Sequence, residues 1–407
     1  MKKLLTLFLL CLGMSLFAQQ NVYIWQGGDF DKVVLPVTDE MPFSNGGTTI
    51  TIGGNAYDVN QIDSLTFTTP VLDKTGKVVV RYEGNKVTVT IPESMSGVTA
   101  SVSGAHVSLT STNIVDEYEY VLEGSSSNGS LTYTGNFKCK FYLNGLSLTS
   151  AQGGALDIEC GKRIDLILFE GTQNVLADCA GGAQKAALYC KGHMEMKGGG
   201  TLTVTGRSKH AISSKEYMVI KKSVGKITVA SAVSDGIHCG QYFQMNGGEV
   251  EIRNVLGDGI QVEEMLDPTK EMDGQMIIQG GVLTIDVPGN DVKGLKCDMD
   301  LTISGGQINI DVIGNGSKGI STNASMVVNE ANAPTDITVQ ARGTSLPDPA
   351  GGTTKCMGIK VDYNLTVYGG RITVNRIGND ARGIKVDGTY YYRGGSVNPE
   401  PDAAARG

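Results

Sequence analysis

The second half of the chain repeats a glycine pair followed by strict apolar–polar alternation. It reads Gly199-Gly200-Thr-Leu-Thr-Val, Gly247-Gly248-Glu-Val-Glu-Ile, Gly280-Gly281-Val-Leu-Thr-Ile, Gly305-Gly306-Gln-Ile-Asn-Ile and Gly369-Gly370-Arg-Ile-Thr-Val, and ends at Gly394-Gly395-Ser-Val. Period-two alternation after a turn signal predicts a short strand with one buried face. Weakened copies begin at Gly225 and Asp336. Between these strands lies a second marker, a small residue before Ile or Leu, at Leu188, Ile212, Ile237, Ile260, Leu295, Ile320, Ile359 and Ile384. Successive gaps are 24, 25, 23, 35, 25, 39 and 25 residues. The two long gaps predict surface insertions, at 264–275 and 329–352, into a fixed repeat of about 25 residues.

A repeat of that length has room for three short strands and three turns, and no 3.6-residue periodicity competes with it. The predicted fold is all-β: a right-handed, single-stranded parallel β-helix with three strands per coil, over residues 131–397. Residues 71–130 read as a β lead-in that caps the apolar end of the solenoid. Residues 19–70, with strands around Val22–Trp25, Thr48–Ile52 and Ile62–Phe67, read as a small separate β module. Residues 398–407 read as a flexible tail. The stretch ending Ile62-Asp63-Ser64-Leu65-Thr66-Phe67 resembles a short N-terminal module of exported proteins from gut and oral anaerobes.

Residues 1–18 carry Lys2 and Lys3, an apolar run from Leu4 to Phe17 and the small residue Ala18. That is the form of an export signal, too short for a membrane span. The expectation is an exported protein, periplasmic, cell-surface or extracellular. The 407-residue chain has net charge −8, and loss of residues 1–18 makes it −10. An acidic surface argues against binding nucleic-acid phosphates, and no nucleic-acid motif is present. Seven cysteines remain after residue 18. Coils stacked about 4.8 Å apart place Cys190 and Cys239 two coils apart, too far for a disulfide. They read as buried thiols in an inward ladder with Ser214, Val262, Cys297, Thr322, Val361 and Val386.

Candidate chemistry then lies on three ladders read as outward-facing. Two residues before each Ile or Leu stand His210, Asp235, Asp258, Lys293, Lys318, Met357 and Arg382. One residue after stand Tyr189, Ser213, His238, Gln261, Lys296, Ser321, Lys360 and Lys385. Three after stand Glu263, Asp298, Asn323, Asp362 and Asp387, among others. Asp235, Asp258 and Glu263 offer carboxylates for calcium, or Asp235 and Asp258 simply cap turn amides. Lys296/Asp298, Lys360/Asp362 and Lys385/Asp387 read either as surface ion pairs or as a groove that hydrogen-bonds a linear polysaccharide. His193, His210 and His238 fall on different strands or coils without zinc-ligand spacing, so no transition-metal site is expected. Aromatic residues are 6% of the chain, and no flat aromatic platform is evident.

Ser234-Asp235-Gly236-Ile237-His238-Cys239 and Gly257-Asp258-Gly259-Ile260-Gln261-Val262, among the glycine-pair strands, resemble a family of secreted carbohydrate-binding β-helices. That family is similar in fold to calcium-dependent pectate lyases. The resemblance, over roughly residues 75–397, implies binding of polygalacturonate or cellulose and bound calcium. Only Asp235 and Asp258 keep Asp before Gly-Ile; later copies carry Lys293, Lys318 and Arg382. The leading expectation is a non-catalytic polysaccharide-binding protein, with His238, Lys293, Lys296, Asp298, Lys318, Lys360, Asp362, Lys385 and Asp387 toward the glycan. The alternatives are a calcium-dependent pectate-type lyase, with Lys293 or Lys296 as base, and a structural or adhesive surface protein.

Overall fold

The computed structural model describes residues 19–26, 29–36, 40–348 and 351–407. Residues 1–18, which the sequence reading takes as an export signal, lie outside the described residues. The chain divides into two compact units, with the division after Val71.

The first unit is a small β structure. Gln19–Gln26 pairs antiparallel with Asp29–Pro36 on one side and Ser64–Thr66 on the other. Phe43–Ser44, Thr49–Ile52 and Asn55–Asp58 form a second antiparallel sheet. Val22, Ile24, Val33, Leu35, Ile50, Ile52 and Tyr57 form its core.

The second unit, Leu72–Gly407, is a stack of parallel strands, consistent with a β-helix. From Leu156 to Val361, leaving aside the hairpin strands Leu346–Pro347 and Thr353–Thr354, each strand pairs with the third strand after it. Leu156–Glu159 pairs with Ala186–Cys190, which pairs with His210–Ser214, then with Ile237–Cys239. The same register continues through Ile260–Val262, Lys293–Cys297, Lys318–Thr322, Met357–Val361 and Arg382–Tyr392. Leu188, Ile212, Ile237, Ile260, Leu295, Ile320 and Ile359 therefore stack directly on one another, with no exposed surface. Cys190, Ser214, Cys239, Val262, Cys297, Thr322, Val361 and Val386 form the next inward ladder. Alternation explains both: residues two apart share a face, and the face between the sheets takes the apolar ones. All seven cysteines among the described residues are free, and all but Cys179 are buried.

The two sequence markers have separate physical causes. In five of the six glycine pairs the second glycine takes a left-handed turn, as at Gly281 (φ 91°) and Gly306 (φ 97°), where a side chain would be strained; at Gly199-Gly200 the preceding Gly198 takes it. In the Gly-Ile marker the cause is crowding. A Cβ on Gly294 would lie 2.6 Å from the Gly319 carbonyl oxygen and 2.7 Å from Ile310 Cγ2. Gly259 meets Gly294 and Ile285 in the same way. The small residue lets the following coil and the neighbouring sheet close over it.

The boundaries differ from the sequence reading at both ends. Parallel pairing reaches back before residue 131, because Val78–Glu83 pairs with Tyr118–Ser126, and Ala105–Ser111 with Gly129–Thr134. Antiparallel partners, Lys86–Thr90 and Val98–Ser103, cover those first strands. Tyr120, Tyr133 and Phe141 fill the interior there, with ring centroids 4.9–5.2 Å apart. The expected flexible tail instead contains a strand, Asp402–Arg406, paired in parallel with Arg382–Tyr392. The insertion expected over 329–352 contains the sheet strand Thr335–Ala341, and the surplus falls after it in a hairpin of Leu346–Pro347 with Thr353–Thr354.

Gly294→Ala is expected to destabilise the unit by about 1–3 kcal/mol, because the added methyl has no space to occupy. Urea melts should show a lower midpoint with an unchanged slope. The chain from residue 19 should also yield seven reactive thiols in denaturant without reductant, and very few when folded.

Candidate polar face and His-Asp-His cluster

The first sheet of the stack carries the ladders in register that the repeat places there. Asp157, Tyr189, Ser213, His238, Gln261, Lys296, Ser321, Lys360 and Lys385 follow one another strand by strand. His238, Gln261, Lys296, Lys360 and Lys385 are half-buried, with their polar ends reaching the surface.

The charges pair differently from the expected Lys-Asp couples along one strand. Lys385 Nζ lies 2.7 Å from Asp387, as expected, and Lys360 pairs with Asp362. Lys360 also reaches Asp387 on the next coil at 3.5 Å. Lys296, however, turns to Asp258 on the preceding coil at 3.5 Å. Asp298 accepts the Glu264 amide and the Asn323 side-chain amide instead. Lys293 donates to the Asp291 carbonyl at 2.9 Å. Lys318 faces no carboxylate at ion-pair distance among the described residues. Burial, with Lys293 and Lys360 nearby, holds its ammonium below the ordinary lysine value.

Asp235 and Asp258 are buried, at 5% and 7% exposure, where the ladder reading placed them outward. Their carboxylates turn along the stack. Asp235 Oδ1 accepts the Asp258 amide at 2.9 Å, and Asp258 Oδ1 accepts the Lys293 amide at 2.7 Å. This is the amide-capping role, each Asp closing the turn of the following coil. Asp235 Oδ2 lies 3.1 Å from His210 Nδ1 and 3.1 Å from His238 Nδ1. Burial alone would push its carboxyl up, but the His210 and His238 hydrogen bonds more than offset this and hold it well below the carboxylate range. Burial pushes Asp258 up, with Asp235 adding to it. Glu263 accepts from Gln261 Nε2 at 2.7 Å and lies 3.5 Å from His238 Nε2.

Asp235, Asp258 and Glu263 do not fit calcium in this arrangement. Calcium takes six to eight oxygens. Here all six carboxylate oxygens already face an amide, an imidazole, a side-chain amide or the Lys296 ammonium.

Two features escaped the sequence reading. His210, Asp235 and His238 converge, with one ligand atom from each lying within 4.8 Å of the others. The rings of His210 and His238 stack at 4.3 Å. These histidines occupy different ladder positions, two before and one after the Ile, so spacing gave no sign of contact. His193, Tyr217 and Tyr242 also stack, at 4.3 and 4.7 Å, as a half-buried aromatic column. A signal for this did exist: each stands five residues after Leu188, Ile212 and Ile237.

A family model described as carbohydrate-binding domain-containing protein matches residues 103–401, nearly the whole of the stacked unit. The chain belongs to this family. A polysaccharide lyase-like protein from C. thermocellum, solved as a gadolinium derivative, is similar in fold. It superposes with a TM-score of 0.52 at 22% identity, covering 63% of this chain and 98% of that one. No curated protein matches the chain. Among the described residues no helix is long and apolar enough to cross a membrane.

Asp157, at the start of the polar column, has its carboxyl pushed up to about 6 by burial, with Glu159 adding to the effect. A carboxyl raised in the folded state penalises folding once it ionises. The penalty is absent below the unfolded value near 3.9 and complete above about 6. Asp157→Asn is therefore expected to stabilise the protein by about 1 kcal/mol at neutral to alkaline pH and to leave it unchanged near pH 3. Thermal melts at the two pH values check this.

Proposed function

We propose that this protein binds polysaccharide without cleaving it, along the polar face of a right-handed β-helix with three strands per coil. One observation carries the reading. Lys293 and Lys296 share one strand, and Lys318, Lys360 and Lys385 stand on the three coils that follow, in two adjacent columns, so each of four successive coils about 4.8 Å apart carries at least one lysine on the same sheet. A linear polymer with one anionic group per sugar would meet that repeat along its length. Lys318 supports an acidic glycan in particular, because an ammonium with no carboxylate partner gains one when a uronate docks. The pairing of each strand with the third after it supports the three-strand coil. Family membership supports carbohydrate as the ligand class, and the residues 1–18 support export to where such polymers occur. Calcium bridging through Asp235, Asp258 and Glu263 is left out of this reading, since their oxygens are engaged.

Affinity electrophoresis through gels containing polygalacturonate or soluble cellulose derivatives, with calcium and with chelator, tests it. Retardation by polygalacturonate that weakens with salt is the expected result. The double variant Lys318→Ala/Lys360→Ala should bind about tenfold more weakly, a loss of about 1.4 kcal/mol. Equal mobility in every gel would remove the reading and leave a structural or adhesive surface role.

One observation favours a second reading, a polysaccharide lyase. An amine with a depressed pKa is what a base removing the proton beside a uronate carboxylate requires, and Lys318 is such an amine. Unsaturated product absorbing in the ultraviolet would establish it. No product over a range of pH, with and without calcium, would exclude it.

A further inference from the structure

We propose that a cleft beside the loop 329–334 binds one neutral sugar unit, a chain end or a short branch, separately from the lysine face. That the ligand is a sugar rests on the carbohydrate reading above; the place of the site and its neutrality do not. The cleft is open and has a volume of about 800 Å³. It lies on three strands that pair with one another, Gly306–Val312, Thr335–Ala341 and Arg371–Arg376. None of these strands carries a lysine of the other face.

An insertion in one coil creates the cleft. Seven residues, 329–335, join Val328 to Asp336, whereas three, 304–306, join Ile303 to Gln307 one coil before. Three, 368–370, join Val367 to Arg371 one coil after. The longer connection stands out from the stack as a wall, with Asn332 and Pro334 lining the cleft. Asn329 (φ 58°) and Asn332 (φ 54°) take the left-handed backbone that turns it out and back, and the Asn332 amide donates to the Asn329 carbonyl at 3.3 Å. Gly306 and Gly370 on either side have no side chain to fill the space.

The lining suits hydroxyl groups and has no net charge. Its only charged residues are Asp336 and Arg371, and they neutralise each other, with Arg371 Nε donating to Asp336 Oδ1 at 3.2 Å. A uronate would find that guanidinium already matched. Gln307 and Asn332 are exposed, and their side-chain amides make no hydrogen bond among the described residues. An amide carries donors and an acceptor side by side, and a sugar hydroxyl is both at once. Asn329 also lines the cleft at 6% exposure, and its Oδ1 has no hydrogen-bond partner among the described residues. A ligand hydroxyl is a donor of the kind it lacks. Asn309, Thr338 and Thr373 lie two residues further along the same strands, on the same face, half-buried and without side-chain hydrogen bonds among the described residues. They continue the neutral polar surface beyond the cleft. Tyr368, next to Gly369 and Gly370, is 46% exposed and offers an aromatic ring to the C–H face of a sugar.

The full chain without residues 1–18 is titrated with the methyl glycosides of glucose, galactose, mannose, xylose and arabinose, and with methyl galacturonide as the acidic control. Saturation-transfer difference NMR and calorimetry report binding. At least one neutral glycoside should bind saturably with a Kd of about 1 mM, unchanged by salt, and the galacturonide should bind more weakly. Gln307→Ala and Asn332→Gly should each weaken that binding at least fivefold. Both positions are exposed, and glycine keeps the left-handed backbone at 332, so both variants are expected to fold, which circular dichroism checks. Lys318→Ala/Lys360→Ala should leave neutral-sugar binding unchanged while it weakens retardation by polygalacturonate, so the two sites fail separately. A fivefold loss in either cleft variant with the lysine variant unaffected supports the proposal. No saturable signal from any of the five neutral glycosides overturns it. So does parental affinity in both cleft variants, or loss of neutral-sugar binding in the lysine variant, which would move the sugar to the lysine face.

Discussion

Each coil must offer its backbone hydrogen bonds to the coil that follows, in register and at one fixed spacing. Every other property of the long unit is a consequence of that demand. Equivalent residues are forced into contact with their own kind, so each position in the repeat must hold a side chain that tolerates a copy of itself above and below. Ile and Leu do so inside the stack because branched apolar groups nest. Charged residues do not, and the chain handles them in two ways. Asp235 and Asp258 turn their carboxylates onto amides of the following coil, and Lys296, Lys360 and Lys385 are offset by nearby acids.

This constraint explains how much was legible in the sequence. The phase of the Gly-Ile marker fixes which residues lie in one ladder, and the Leu188 to Ile384 column is in the register that the gaps require. The buried thiols of Cys190, Cys239 and Cys297 follow from the same logic, because they sit in one inward column, with Ser214 between the first two. What ladders do not reveal is contact between columns. His210 and His238 meet across a turn, and the angle of that turn is a property of the folded backbone, not of spacing. Lys296 reaching back to Asp258 escaped for the same reason: a long side chain has a choice of coil. Burial of the two aspartates was also hidden, because an amide cap and an exposed acid have the same letter in the sequence.

The ends were misjudged for a different reason. A repeat pattern fades where strands stop needing a neighbour on both sides. The first coils before residue 131 trade the glycine marker for an aromatic cluster of Tyr120, Tyr133 and Phe141, and the last residues pair without it. At the N-terminal end the reading of a β lead-in places the strands but not their parallel pairing, and at the C-terminal end the absent marker reads as a flexible tail where a paired strand stands. The aromatic column of His193, Tyr217 and Tyr242 shows the converse, a short run of three copies that a composition of 6% aromatics makes easy to overlook.

The crowding at Gly294 and Gly319 has one more implication. Each glycine is sealed by the coil after it, and no side chain in that contact reaches beyond the nearest neighbour. The unit is therefore extensible in whole steps. Adding or deleting one complete coil between them would leave every other seam as it was, while lengthening or shortening the row of lysines by a single tooth. The length of the stack and the number of lysines it carries are thereby set by copy number, without redesign of any one coil.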